Sequence, residues 1–163
     1  EYDYAESVNN KKQMANALNT QGVSFYIKGN YDKAMEYYTK CLKIKEELGH
    51  KKGIAGTLNN IGLIYNNQGD YAKAIDYYTR SLKIQEELGD KKGIAASLHN
   101  IGIIYKDQGD YAKTIDYYTR SLKIYEELGD KKGIAGSLGN IGIIYKVQGD
   151  YEKAFQFLKP LVE

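Results

Sequence analysis

From residue 51 to residue 90 the chain reads KKGIAGTLNNIGLIYNNQGDYAKAIDYYTRSLKIQEELGD, and residues 91–130 repeat that text with only eight differences. Upstream, residues 11–50 form a more diverged copy. Downstream, residues 131–163 form a fourth copy that is cut short. A fixed period between twenty and fifty residues is typical of an array built from one supersecondary unit. The function of this protein therefore has to be argued from a repeat array.

Each repeat has the pattern of two helices. Apolar residues recur at spacings of three and four through both halves of the repeat, which is helical and not strand periodicity. Between the halves, Gly69 suits a left-handed helix C-cap and Asp70 can cap the next helix. We predict a first helix over residues 51–67 and a second over residues 71–88, each about 25 Å long. Gly89 and the aspartate after it separate one repeat from the next in the same way.

The ends of the chain follow the same register. Residues 1–10 align with residues 81–90, so we expect a stub that ends a preceding second helix, with repeat 1 over residues 11–50. Pro160 falls within the last second helix and should stop or kink it. We therefore expect one array with a stub, seven full helices and a short eighth helix after Gly149. We also expect the sequence to be a piece of a longer array.

Composition and charge narrow the classes of partner. The net charge of +2 is too weak for a polyanion-binding surface, so no nucleic-acid partner is expected. No run of eighteen apolar residues is found, so no membrane insertion is expected. Cys41 is the only cysteine, which leaves the redox compartment open and favours the cytoplasm. A small packed side chain is the simpler role for Cys41, and a reactive thiol is the alternative.

The sequence contains no recognisable catalytic pattern. There is no HExxH motif, no Cys/His cluster, no Ser/His/Asp set and no phosphate-binding glycine loop. His50 and His99 are separated by more than a full repeat and make a poor metal pair. We therefore predict no enzyme activity, no catalytic residue, no metal site and no cofactor.

One set of residues recurs with the spacing of a known family. Its members are Leu58, Gly62, Tyr65, Gly69, Tyr71, Ala74, Tyr78 and Leu82. This pattern resembles the tetratricopeptide repeat. Two departures are the period, which is 40 residues where the family usually has 34, and Glu86, which stands where the family has a closing proline. With these long repeats the chain resembles Pins-type adaptors, kinesin light chains and bacterial signalling proteins.

The resemblance implies a fold and a general role. The implied fold is all-α, a right-handed superhelical solenoid of antiparallel helix pairs in which the first helices line a concave groove. The relatives bind proteins or peptides in that groove. The resemblance therefore implies a protein–protein interaction module that binds an extended or helical peptide segment of a partner.

The positions at which the copies differ suggest where such a groove would contact its ligand. Of the eight differences between the two middle copies, six fall in the first helix, and most of them lie in one sector about 100° wide. We call this surface the variable sector. The alternative is that solvent-facing positions simply drift. The predicted groove residues are Asn16, Asn19, Asn59, Asn60, Leu63, Asn66, Asn67, His99, Asn100, Ile103, Lys106, Asp107, Gly136, Gly139, Asn140, Ile143, Lys146 and Val147.

One residue of the sector does not vary among the last three copies. Asn60, Asn100 and Asn140 stand one repeat apart at the edge of the sector. An amide can donate and accept, so the resemblance implies that this row pairs with the backbone of an extended peptide. The alternative is that each amide ties neighbouring helices together. Lys106 and Lys146 add positive charge, which favours an acidic or mixed peptide.

Two other functions remain open on the sequence. Neutral, near-identical repeats could stack end to end, so a self-associating structural scaffold is one alternative. The other is an accessory sensor or spacer segment of a larger signalling protein. The basic residues with which some members of the family clamp a C-terminal carboxylate have no counterpart at the matching positions, so no such clamp is expected.

Overall fold

The computed structural model describes the backbone of residues 2–161 and the side chains of residues 6–160. This part of the chain contains eight α-helices, a final 3-10 turn and no strand. The helices are α1 (Tyr2–Ile27), α2 (Tyr31–Glu47), α3 (Lys51–Asn67), α4 (Tyr71–Leu88), α5 (Lys91–Asp107), α6 (Tyr111–Leu128), α7 (Lys131–Val147) and α8 (Tyr151–Leu158), followed by the 3-10 turn Lys159–Leu161.

The predicted helix limits of the repeat agree with α3 and α4 at every end. Gly69 adopts the left-handed conformation, with φ of 76°. Asp70 then accepts a hydrogen bond from the backbone N–H of Lys73 at 3.2 Å, which caps α4. At the start of α3, where the other repeats have aspartate, His50 makes no side-chain capping bond. The turn chemistry read from the sequence therefore sets the helix boundaries.

The start of the chain differs from the prediction. Residues 2–10 form the first turns of α1 and not a separate stub, because α1 continues without a break to Ile27. Asn9 and Asn10 stand where the later boundaries have glycine followed by aspartate or histidine. Asparagine adopts the left-handed conformation less readily than glycine, so the helix end is weaker here and the helix continues. Glu1 lies outside the described residues.

The end of the chain behaves as the proline predicts. The short eighth helix, α8, ends at Leu158, and a 3-10 turn follows that includes Pro160. A proline inside the helix would remove a backbone donor and clash with the preceding turn. The last helix is consequently about half as long as the other second helices.

The helices fall into two compact units, α1–α4 and α5–α8. In unit one the buried core is formed by Ala34, Tyr38, Ile61 and Ile64, with Phe25, Tyr65 and other partly buried side chains around it. In unit two the buried core is formed by Tyr118, Leu122, Ile141 and Ile144. Each core lies where the second helix of one repeat packs against the first helix of the next.

Within the first three helix pairs, a tyrosine ring lies against a glycine of the partner helix. Tyr78 of α4 is only 1% exposed, and a Cβ added to Gly62 of α3 would lie 2.9 Å from its Cε1 atom. The same contact joins Gly102 to Tyr118, where the distance would be 2.7 Å. In the shorter last pair, Leu158 takes the place of the ring. Glycine at this position is therefore required by close helix approach.

A second recurring contact is a side-chain hydrogen bond between the same helices. Ser81 donates to the backbone carbonyl of Ala55 at 2.8 Å, and Ser121 donates to that of Ala95 at 2.8 Å. In the first repeat the donor is Cys41, whose Sγ lies 3.2 Å from the matching carbonyl. Cys41 is free and fully buried, as expected for a small packed side chain.

In the first three helix pairs, a lysine of the first helix pairs with a glutamate at the end of the second helix. Lys51 at the start of α3 meets Glu87 near the end of α4 at 2.9 Å, so the two helices run antiparallel. Lys91 and Glu127 repeat the pair at 2.9 Å. Both pairs are about half exposed, and such pairs contribute about 0 to 1 kcal/mol. The all-α fold of antiparallel helix pairs is confirmed.

The ring contact can be tested with two glycines of the same helix. We expect Gly62→Ala to lower the free energy of unfolding by about 1–3 kcal/mol, because the methyl group would overlap the ring of Tyr78. Gly56 has open space at the Cβ position, so we expect Gly56→Ala to raise the free energy of unfolding by about 0.5–1 kcal/mol. Urea titration followed by circular dichroism measures both. Equal stability of the two variants would contradict the packing role of Gly62.

Candidate binding surface on the first helices

In unit one the variable sector lies on α1 and α3. Asn16 and Asn67 are exposed. The other predicted members in this unit are half-buried: Asn19, Asn59, Asn60, Leu63 and Asn66. The helices that carry the sector are held from their other side by buried residues such as Ile61 and Ile64. Most of these positions are therefore only partly open to solvent.

Two amides of this sector already contact α1. The Nδ2 of Asn60 donates to the Oδ1 of Asn19 at 3.4 Å, and the Nδ2 of Asn67 donates to the hydroxyl of Tyr26 at 2.7 Å. The first bond is long and uses one of the two donor hydrogens of Asn60. Asn60 thus ties neighbouring helices together, which is the alternative to peptide binding. Its side-chain carbonyl oxygen is not used in this bond. The Oδ1 of Asn66 is buried and has no hydrogen-bond partner among the described residues.

In unit two the sector lies on α5 and α7 and is more open. The exposed members are Lys106, Asp107, Gly136, Ile143, Lys146 and Val147. The half-buried members are His99, Asn100, Ile103, Gly139 and Asn140. Ile143 is 52% exposed and Val147 is 59% exposed, so α7 presents two apolar side chains to solvent. This unit combines exposed apolar groups with amides and charges.

His99 lies deeper than the sequence indicated. Its ring stacks on Tyr118 of α6 with centroids 4.9 Å apart and the planes inclined by 23°. Burial lowers the pKa of His99, and the charge of Lys106 acts in the same direction. Burial also raises the pKa of Tyr118 to about 12. His99 is therefore a neutral imidazole at physiological pH that joins the sector to the second helix.

A recess of about 400 Å³ opens beside His99. It is lined by Lys92, His99, Tyr125, Asp130, Lys132, Gly133, Gly136, Ser137 and Asn140. Only three of these residues were predicted as site residues: His99, Gly136 and Asn140. Position 125 differs between the middle copies, with tyrosine in place of Gln85, and this difference in a second helix was the available signal for Tyr125. Ser137 gave no signal, since serine or threonine recurs at its position.

Two absences apply to the described part of the chain. Among residues 6–160, no three His, Cys, Asp or Glu side chains are arranged to hold a metal ion. None of the described helices has both the length and the apolar character needed to cross a membrane.

The fold is that of a helical-repeat protein, a class that generally mediates protein–protein interaction. The sequence profile of the tetratricopeptide repeat matches residues 13–87, 53–127 and 93–160. The chain therefore belongs to the tetratricopeptide repeat family, and the predicted resemblance is confirmed. Repeats of this family are typically non-catalytic scaffolds. No curated protein matches the chain.

Solved structures share the fold at low sequence identity. BtubC from P. vanneervenii superimposes with a TM-score of 0.81 at 23% identity, over 92% of this chain and 62% of that one. The apo form of RapI gives 0.82 at 21% identity, over 91% of this chain and 54% of that one. The nearly identical repeats of a kinesin-light-chain-like protein from Podospora anserina give 0.74 at 14% identity, over 90% and 72% of the two chains. This chain thus spans less than two thirds of the length of the first two proteins.

The stacked histidine predicts a pH dependence of stability. Because the pKa of His99 is lowered in the folded state, the unfolded chain binds a proton first as the pH falls. The contribution of neutral His99 is present above the ordinary value of 6.5 and is lost as the pH falls through it. We expect the free energy of unfolding to decrease from pH 7.5 to pH 5.5, and His99→Asn to reduce that slope. Asparagine stands at the matching position 59. Identical slopes in urea titrations of the two proteins would contradict the prediction.

Proposed function

We propose that this protein is an interaction module that takes a peptide segment of a partner protein on the variable sector. The observation that carries the proposal is a contrast within the sector. Asn60, Asn100 and Asn140 are repeated and half-buried, while their neighbours on the same helices change from copy to copy. A repeated amide suits a ligand feature that is itself repeated. The backbone of an extended peptide is such a feature.

The hydrogen-bonding capacity of the amides supports this role. Asn100 and Asn140 have no hydrogen-bond partner among the described residues, and Asn60 donates one hydrogen bond to Asn19. A half-buried amide without partners loses solvation that a ligand can replace. Each of the three can therefore offer a donor, an acceptor or both to a peptide bond.

The changing positions would supply selectivity. In unit two, Ile143 and Val147 offer apolar surface, and Lys146 stands exposed between them. Lys106 is partly neutralised by Asp107 at 3.4 Å. This set favours a segment that carries apolar residues together with acidic ones. The identity of the partner would be set by this combination and not by the amide row.

The amide row can be tested with a matched set of substitutions. In the variant Asn60→Ala, Asn100→Ala, Asn140→Ala we expect a loss of at least tenfold in the affinity for any peptide that the wild-type protein captures from an array of acetylated 15-residue peptides. The control is Thr39→Ala, Thr79→Ala, Thr119→Ala, which changes one exposed polar residue per repeat on the second helices. Fluorescence anisotropy measures the affinities.

Circular dichroism and light scattering complete the test. Both variants should keep the helical spectrum, because none of the six side chains is part of a buried core. Unchanged affinity in the asparagine variant would contradict the role of the amides. If the protein captures no peptide and its mass rises with concentration in light scattering, the self-associating scaffold replaces the present proposal.

A further inference from the structure

The recess of unit two has an unusual floor. Ser137 of α7 is only 1% exposed, and its Oγ has no hydrogen-bond partner among the described residues. A buried hydroxyl without a partner destabilises the folded protein relative to a paired one. Ser137 also lines the recess. A ligand group that reaches the floor of the recess would therefore recover a hydrogen bond that the protein itself does not make.

At the matching position in unit one, the hydroxyl that corresponds to Ser137 has a hydrogen-bond partner within the protein. There the buried side chain of Lys45 donates to the Oγ1 of Thr57 at 2.9 Å, and Thr57 in turn donates to the carbonyl of Gly53 at 3.0 Å. In unit two the residue that corresponds to Lys45 is Tyr125, and its ring lies against Gly133 instead. The hydroxyl that corresponds to Thr57 is left without its amine. The difference between the copies thus removes an internal partner from this place.

The groups around the recess donate more hydrogen bonds than they accept. Lys92 and Lys132 are exposed at its mouth, and the amide of Asn140 has no partner. The one carboxylate is that of Asp130, which already accepts from the backbone N–H of Gly133 at 3.0 Å as the cap of α7. It also meets Lys92 at 3.7 Å. Asp130 and Lys92 offset each other, and Lys132 leaves the lining with an excess of positive charge, so the site suits an acceptor with negative charge.

The shape of the recess suits a flexible stem. A Cβ added to Gly136 would meet nothing within 4 Å, so bare backbone forms part of the wall. The tyrosine ring of Tyr125 and the imidazole of His99 supply flat surfaces around it. Methylene groups pack well against such surfaces while a polar end reaches the hydroxyl.

We propose that this recess binds the side-chain carboxylate of a glutamate in the partner segment, with Ser137 and Asn140 as hydrogen-bond donors and the two lysines as charge partners. The inference rests on the proposed function, because the glutamate belongs to the peptide held on the variable sector. It adds a fixed anchor point in unit two. It also assigns a role to Gly136, since any larger residue would occupy the space of the glutamate stem.

The anchor can be tested apart from any natural peptide. Isotope-labelled protein is titrated with N-acetyl-glutamate N-methylamide, with the glutamine analogue, and with N-acetyl-glycine, whose only carboxylate is chain-terminal. We expect the glutamate probe to cause saturable shifts in the amide resonances of Gly136, Ser137 and Asn140. We expect the other two probes to bind at least tenfold more weakly. Equal binding of the glutamine analogue would overturn the carboxylate assignment, and tighter binding of N-acetyl-glycine would overturn the side-chain assignment.

Two variants locate the binding site. Ser137→Ala should weaken the glutamate probe at least threefold and leave the unfolding midpoint unchanged or higher, because the lost hydroxyl had no partner. Gly136→Leu should abolish the shifts. Gly56→Leu is its matched control, since position 56 is equally open and lies in unit one. Undiminished binding by Ser137→Ala would overturn the proposal even if the leucine variant does not fold.

The two proposals fail in different ways. If the glutamate probe does not bind but the asparagine variant loses peptide affinity, the sector binds peptides without this anchor. In the opposite case the glutamate probe binds, Ser137→Ala weakens that binding, and the asparagine variant keeps full peptide affinity. The recess then binds glutamate, and the asparagine row has no role in peptide binding.

Discussion

The close contact of a buried tyrosine ring with a glycine is the constraint on which the first three helix pairs depend. Because Gly62 has no side chain, the ring of Tyr78 can lie against the backbone of α3 and bring the two helices together. That approach also brings Ser81 within hydrogen-bond distance of the carbonyl of Ala55, in the first half of α3. With one side of the first helix fixed in this way, its other side is free to vary. The residues that pack the helix pair and the residues that change between copies thus lie on opposite sides of one helix.

Most of the fold could be predicted from the sequence because the residues that end and start its helices are adjacent in the chain. A left-handed glycine followed by a capping aspartate ends one helix and starts the next, and both residues are visible in the repeat, as at Gly69 and Asp70. The prediction was wrong for residues 2–10, where alignment with the later copies suggested a boundary that the residues do not support. Asn9 and Asn10 show that register alone does not make a turn.

The candidate site could be predicted only in part. Comparison of the copies identified the positions of the variable sector, because a change against an otherwise constant background is visible in one sequence. It could not show that His99 stacks on Tyr118, nor that Tyr125 and Ser137 share a recess with it. These residues lie on three helices, and their proximity depends on the packing of the helices and on the side-chain conformations. Comparing the copies shows which positions differ in sequence, but it does not show which of these side chains contact each other in the structure.

The antiparallel pairing has a consequence for how the chain is made and how it changes. The hydrogen bond of Ser81 spans 26 residues and the ion pair of Lys51 spans 36, so both close within a single forty-residue copy. During synthesis these two contacts can form once a single copy has left the ribosome, whereas the buried cores between copies form only when the next copy follows. A gene duplication or deletion of one whole copy would leave these internal contacts intact. The length of such a protein can therefore change by recombination while its local interactions are preserved.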